Sequence, residues 1–199
     1  MKDWNGGKNS VFTTLGASNH SEKERENNDY YATDPKAVDA LVEVYDLPHK
    51  VWECACGEGH LAHRLAELGY DVEATDLIDR GYGQSGVDFL CEMDNHGCDC
   101  ILTNPPYKYA TEFILHAMRL LQRRGVCAMF LKTSFLEGKR RRDELYKVMP
   151  PRYIFQFSER MVCAKNGDFE AMEKVGSAVA YCWIIWEKGW EGDTIIRWI

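Results

Sequence analysis

Asn104, Pro105, Pro106 and Tyr107 stand together immediately after the apolar run Cys100, Ile101 and Leu102. A carboxamide, a main-chain carbonyl and an aromatic face, presented at the end of a strand, suit a flat molecule that carries an exocyclic amine. Each proline fixes its own φ and drives the residue before it into an extended conformation, so the box is a stiff platform. Hydrogen bonds from the amine to the Asn104 side-chain oxygen and the Pro105 carbonyl would localise the nitrogen lone pair and aim it at an electrophile. Tyr107 would stack on the attached ring.

A second group, Glu53, Cys54, Ala55, Cys56, Gly57, Glu58 and Gly59, falls where a first strand gives way to a helix, the place where open α/β sheets bind ligands. Gly57 and Gly59 permit a tight turn. Asp76 ends the next strand, close to the roughly 20-residue offset at which an acid grips ribose hydroxyls. A dinucleotide fingerprint would need a third glycine, but His60, Leu61 and Ala62 follow Gly59, which leaves a pyrophosphate poorly served. Glu53 repels phosphate and attracts an ammonium or sulfonium, pointing to S-adenosylmethionine over a nicotinamide cofactor. Asp88 is placed to accept a hydrogen bond from the cofactor's adenine amine. Leu77 and Phe89 complete the expected pocket beside these acids, together with Ala55 and Cys56.

The elements that must position these residues alternate. Asp34 and Pro35 begin a helix carrying Val38, Leu41, Val42 and Tyr45 on one face, ended by Leu47 and Pro48. Strands are expected at 51–54, 72–75, 87–90, 99–103, 126–131, 153–157 and 178–186. Helices are expected through Leu61, Leu65 and Leu68, through Phe113, Ile114, Ala117, Leu120 and Leu121, and over 143–148. Such alternation predicts right-handed crossovers and a mainly parallel sheet covered on both faces. The 199 residues, 45% hydrophobic and 28% charged, suit one domain at 29–199, preceded by a Gly-, Asn- and Ser-rich arm at 1–28. No apolar run approaches the roughly 20 residues that span a bilayer, and the Met1 end lacks a secretory core, so a cytoplasmic protein is expected.

The formal charge of −7 opposes nucleic-acid binding overall, but Lys139, Arg140, Arg141 and Arg142 form a compact basic run open to two readings, a phosphate-binding patch or a solvated helix start. The cysteine pairs Cys54/Cys56 and Cys98/Cys100 have one-residue gaps unlike zinc-ligand spacing, and the eight cysteines read as reduced core thiols with no metal site.

The string ECACGEG followed by NPPY resembles the class I S-adenosylmethionine-dependent amino-methyltransferases, above all those acting on the N6 amine of adenine in DNA. The segment Asp29, Tyr30, Tyr31, Ala32, Thr33, Asp34 and Pro35 is similar to that family's upstream motif, in which an aromatic and a threonine contact the methionine end of the cofactor. The resemblance therefore implies Tyr31 and Thr33 as cofactor contacts. It also implies a Rossmann-like, seven-stranded, mainly parallel sheet with an antiparallel edge pair and helices on both faces. At fold level it runs from about Tyr30 to Trp198, and the whole chain resembles small methyltransferases of phages and prophages. Two positions depart from the family pattern: Glu53 replaces the commoner Asp, and Asp34 interrupts the usual Thr-Pro-Pro. No separate target-recognition domain follows the NPPY helix, so selectivity would come from the arm, the 158–177 loop or a partner. The expected reaction is methyl transfer to adenine in DNA, with the target flipped out of a duplex. RNA guanine amines and protein glutamine amides are the rival acceptors, and a catalytically inactive cofactor-binding module is the rival of another class.

Overall fold

Strands β5 (Cys100–Thr103), β6 (Val126–Lys132) and β9 (Tyr181–Glu187) are buried along almost their whole length. Runs of this kind are stable only in a sheet covered on both faces. The computed structural model describes residues 32–164, Phe169 and residues 179–199. The arm at 1–28, Tyr30, Tyr31 and most of the 158–177 segment lie outside the described residues.

The main sheet also contains β2 (Lys50–Glu53), β3 (Asp71–Asp76), β4 (Gln84–Ser85), β7 (Tyr153–Gln156) and β10 (Ile195–Trp198), in the order β10-β7-β9-β6-β5-β2-β3-β4. All pairings are parallel except those of β9, which runs antiparallel to both β6 and β7. The Rossmann-like expectation, with its antiparallel pairing towards one side, is thus met, in a sheet of eight strands. From β2 the chain proceeds outward through β3 and β4, then returns to β5 on the other side of β2. This reversal makes the β2/β5 boundary the topological switch point, where ligands bind in such sheets.

Helices α1 (Lys36–Val42) and α2 (His60–Glu67) cover one face. Val38, Leu41, Leu61 and Leu65 pack there with Cys100, Leu102, Phe130 and Trp183. Helix α3 (Ala110–Leu120) covers the other, where Phe113, Ile114 and Ala117 meet Trp52, Ile101 and Met129. The period-2 alternation of β5 divides its side chains between the two layers, each buried aliphatic contributing about 1.5–3 kcal/mol. The Trp183 indole N–H donates to the Ala37 carbonyl at 2.7 Å, fixing α1 on the sheet. Among the described residues no helix is long and apolar enough to cross a membrane. Seven of the eight free cysteines are buried, and Cys91 is exposed.

Two local expectations are corrected. Residues 87–90 are not a strand; Phe89–Cys91 is a 3-10 turn, and the strand beside β3 lies earlier, at β4. The cause is Asp88, whose carboxylate accepts from the Leu90 N–H at 3.0 Å and so favours a turn over a ladder. The sequence reading also lacks β10, whose residues are all exposed and give no buried-face alternation. The helix expected over 143–148 begins earlier, as a short α4 (Lys139–Arg141) that passes into a π-turn at Arg142–Tyr146.

A two-stranded antiparallel pair sits apart from the main sheet. It joins β1 (Ala32–Thr33) to β8 (Cys163–Ala164), with Thr33 opposite Cys163.

Candidate active site

The carboxyl ends of β2, β3 and β5 surround a cavity of about 480 Å³. Its wall includes Thr33, Glu53, Ala55, Cys56, Asp76, Leu77, Asp88, Phe89, Asn104, Pro105, Pro106 and Tyr107, so residues far apart in the chain share one concave surface. Gly57 and Gly59 do not line it. Gly57 (φ 58°) turns its N–H onto the Asp76 carboxylate at 2.8 Å. Gly59, at φ 81°, precedes α2, and a Cβ there would stand 2.2 Å from the Tyr82 ring. The glycines thus build the loop while their neighbours face the cavity.

Asp76 is held by a second main-chain donor, the Ile78 N–H, also at 2.8 Å. This pair of bonds orients the carboxylate at the end of β3. Glu53 differs. It is 2% exposed, its Oε2 has no hydrogen-bond partner among the described residues, and it lines the cavity. Burial pushes its carboxyl well above the ordinary range and nearby Asp76 adds to the rise, while a main-chain hydrogen bond from Ala62 opposes it. Burial and the same two acids push the Cys56 thiol up to about 12, so it is a neutral wall rather than a nucleophile. On the far side, Phe89 packs edge-on against Trp52 at 5.2 Å and tilted against Phe113 at 4.8 Å, giving the cavity an aromatic floor.

At the end of β5, Asn104 donates from Nδ2 to the Thr33 hydroxyl at 2.9 Å. Pro105 is buried and Pro106 half-buried. The Pro106 carbonyl accepts the Tyr109 N–H at 2.8 Å, closing the turn after the box. Tyr107 is wedged between the two core layers, packing on both. Its hydroxyl is buried, and the Lys132 ammonium lies 4.2 Å from its ring centre. Burial raises the phenol well above its ordinary value.

Sequence reasoning missed His60, Ile78, Arg80, Tyr109 and Phe113, which also line the cavity. For two of them a signal existed: Tyr109 precedes Phe113 by one helical turn, so both fall on one face.

Within the basic run, Arg140 pairs with Glu144 at 2.7 Å and Arg142 with Asp143 at 3.0 Å. Arg141 folds back over the Phe135 ring and donates to the Phe135 carbonyl at 2.7 Å. Three of the four cations are therefore engaged within the chain, while Lys139 is exposed.

No family model matches the chain, and no curated protein matches it. Solved structures do. A Listeria monocytogenes protein assigned to the class I S-adenosylmethionine-dependent methyltransferases is 13% identical, with a TM-score of 0.55, over 83% of this chain and 62% of its own. A modification subunit assigned to a type I restriction enzyme of Vibrio vulnificus is 16% identical, with a TM-score of 0.56, over 89% of this chain and 49% of its own. The Burkholderia thailandensis 1,6-didemethyltoxoflavin-N1-methyltransferase, solved with 1,6-didemethyltoxoflavin and S-adenosylhomocysteine, is 11% identical, with a TM-score of 0.51, over 94% of this chain and 93% of its own. The chain spans less than two thirds of the Listeria protein and about half of the Vibrio subunit. At these identities the likeness is one of fold, the class I methyltransferase fold.

Proposed function

We propose that this chain transfers a methyl group from S-adenosylmethionine to the exocyclic amine of adenine in DNA. The observation that carries the reading is the convergence of Asn104, Pro105, Pro106 and Tyr107 with Glu53, Asp76 and Asp88 on one cavity at the switch point of the sheet.

The cavity fits the cofactor on its own chemistry. The unpartnered, buried Glu53 oxygen lacks a cation, which the cofactor's ammonium would provide. Asp76 and Asp88, both on the wall, would hold the ribose hydroxyls and the adenine amine, with Leu77 and Phe89 packing the adenine and Ala55 and Cys56 lining the approach. Tyr31, outside the described residues, remains a proposed contact at the methionine end. When bound, the cofactor supplies a sulfonium-activated methyl group.

The chain's own contribution is geometric and electrostatic. An adenine amine is a weak nucleophile because its lone pair is delocalised into the ring. Hydrogen bonds from that NH₂ to the Asn104 carboxamide oxygen and the Pro105 carbonyl draw the nitrogen towards tetrahedral geometry and orient its lone pair. Tyr107 gives the base an aromatic edge or face, contacts of this kind contributing about 1–3 kcal/mol. No strong base is needed before transfer, because the proton leaves a nitrogen that has already become cationic. In a duplex the target base is flipped out to reach the cavity, and Lys139, with Arg140, Arg141 and Arg142 beside it, is the candidate phosphate contact.

One observation favours a second acceptor class. Arg140 and Arg142 are paired with Glu144 and Asp143, which weakens the basic patch as a nucleic-acid surface and leaves a protein glutamine amide as the alternative acceptor. Incubation with methyl-labelled cofactor and separate pools of DNA, RNA and protein decides between them. Label in DNA adenine is expected; label in polypeptide alone would eliminate the DNA reading.

A further inference from the structure

Thr33 lies at the seam between the small β1–β8 sheet and the catalytic box, and it is 3% exposed. Its hydroxyl accepts the Asn104 Nδ2 hydrogen at 2.9 Å. It also stands directly across the ladder from the buried Cys163. Cross-strand partners share a face, so the two side chains meet by construction.

We propose that Thr33 is a positioning residue for Asn104, selecting which end of the carboxamide the acceptor amine meets. A threonine hydroxyl has one proton and two lone pairs. In this arrangement the proton is assigned to the facing Cys163 sulfur, so that the oxygen presents only lone pairs to Asn104. The amide then fits one way round: Nδ2 towards Thr33, with Oδ1 as the acceptor end. A flipped amide would set Oδ1 against the Thr33 lone pairs and turn an N–H, useless as an acceptor, towards the incoming amine. The inference rests on the proposed reaction, in which Oδ1 of Asn104 accepts from the acceptor's NH₂. It differs from the family-derived expectation that Thr33 acts on the methionine end of the cofactor. Through Thr33, the β1–β8 pair is thus coupled to the catalytic amide.

The discriminating variant is Thr33→Val, which keeps the β-branched shape and deletes the hydroxyl. Two readouts are needed: the single-turnover rate at saturating S-adenosylmethionine on DNA, and the cofactor Kd by calorimetry. The rate is expected to fall about 10- to 100-fold, as for small misplacements of a reacting pair. The Kd should stay within about twofold, as expected where no cofactor contact is lost, and Thr33→Ser should recover most of the rate. A Kd weakened tenfold or more with the saturated rate intact would make Thr33 a cofactor ligand and overturn the proposal, as would an unchanged rate. Should Thr33→Val not fold, Thr33→Ala compared with Thr33→Ser gives the same test. Asn104→Ala run alongside separates the failures: if it is inactive while Thr33→Val is unimpaired, the positioning role alone falls. If Asn104→Ala remains active, the reaction on which the role rests falls first.

Discussion

On the β2–β3 side of the cavity three carboxyl groups converge, those of Glu53, Asp76 and Asp88, whereas the β5 side presents Asn104, Pro105, Pro106 and Tyr107, none with a formal charge. The two sides are also satisfied differently. Asp76 is anchored by two main-chain N–H groups and Asp88 by one, while Glu53 is buried with one oxygen unpartnered. Across the cleft, the Asn104 amide is tied to Thr33 and the prolines stiffen the backbone. Charge is thus concentrated where a cationic cofactor would bind, and neutral hydrogen-bonding groups stand where an amine must keep its lone pair.

The sharpest division between the sides should come from Asn104→Ala. It is expected to lower single-turnover transfer by about 10²–10³-fold, the usual effect of deleting one preorganised hydrogen-bonding group at a reacting centre. Cofactor affinity, read by calorimetry, should change little. Asp76→Ala should do the converse, weakening cofactor binding by about 10- to 100-fold, in line with a lost charge-assisted hydrogen bond, while sparing the rate at saturation. Equal effects of both variants on both readouts would erase the distinction.

A smaller effect concerns pH. The Glu53 carboxyl is raised above the ordinary carboxylate range in the folded protein, so below that raised value it is protonated and must release its proton to face an ammonium. Cofactor affinity should therefore rise with pH, by up to about tenfold per unit below the raised value, and level off above it. Glu53→Gln should flatten this profile and weaken binding at high pH. The same sign governs stability without cofactor. Because the folded state binds this proton more tightly than the unfolded state, the stabilisation is full below the ordinary carboxylate range and is lost as pH rises through the raised value. Glu53→Gln should accordingly melt higher than the native chain at neutral pH; a lower melting temperature would show that Glu53 is compensated in some other way. Least of all, Lys139→Ala should reduce the slope of log affinity for DNA against log salt by about one, if it meets a phosphate.

The chemistry of the site was legible in the sequence where it is local. Four adjacent residues make the Asn104 box, and the turn after β2 is contained in a seven-residue string. The sheet could be read because β5, β6 and β9 are apolar throughout. The exposed β10 carries no such pattern, and the 3-10 turn at Phe89–Cys91 depends on one side-chain cap at Asp88 that outweighs a short apolar run. Longer-range facts stayed hidden. The Thr33–Asn104 bond joins residues 71 positions apart, and Thr33 sits in the β1–β8 pair, whose two strands are themselves far apart in the chain. Burial of Glu53 with an unpartnered oxygen likewise depends on how α2 closes over the loop. The pairing of Arg140 with Glu144 did have a sequence signal, the i,i+4 spacing of opposite charges on one helical face.

The central claim is that an adenine amine is pinned by the Asn104 carboxamide opposite an activated methyl group. Its most direct test is nucleoside analysis of DNA from cells expressing either the native chain or Asn104→Ala. N6-methyladenine in a fixed sequence context with the native chain, and its loss with Asn104→Ala, is the predicted result. Unmodified adenine in both, or equal modification by both, would contradict it.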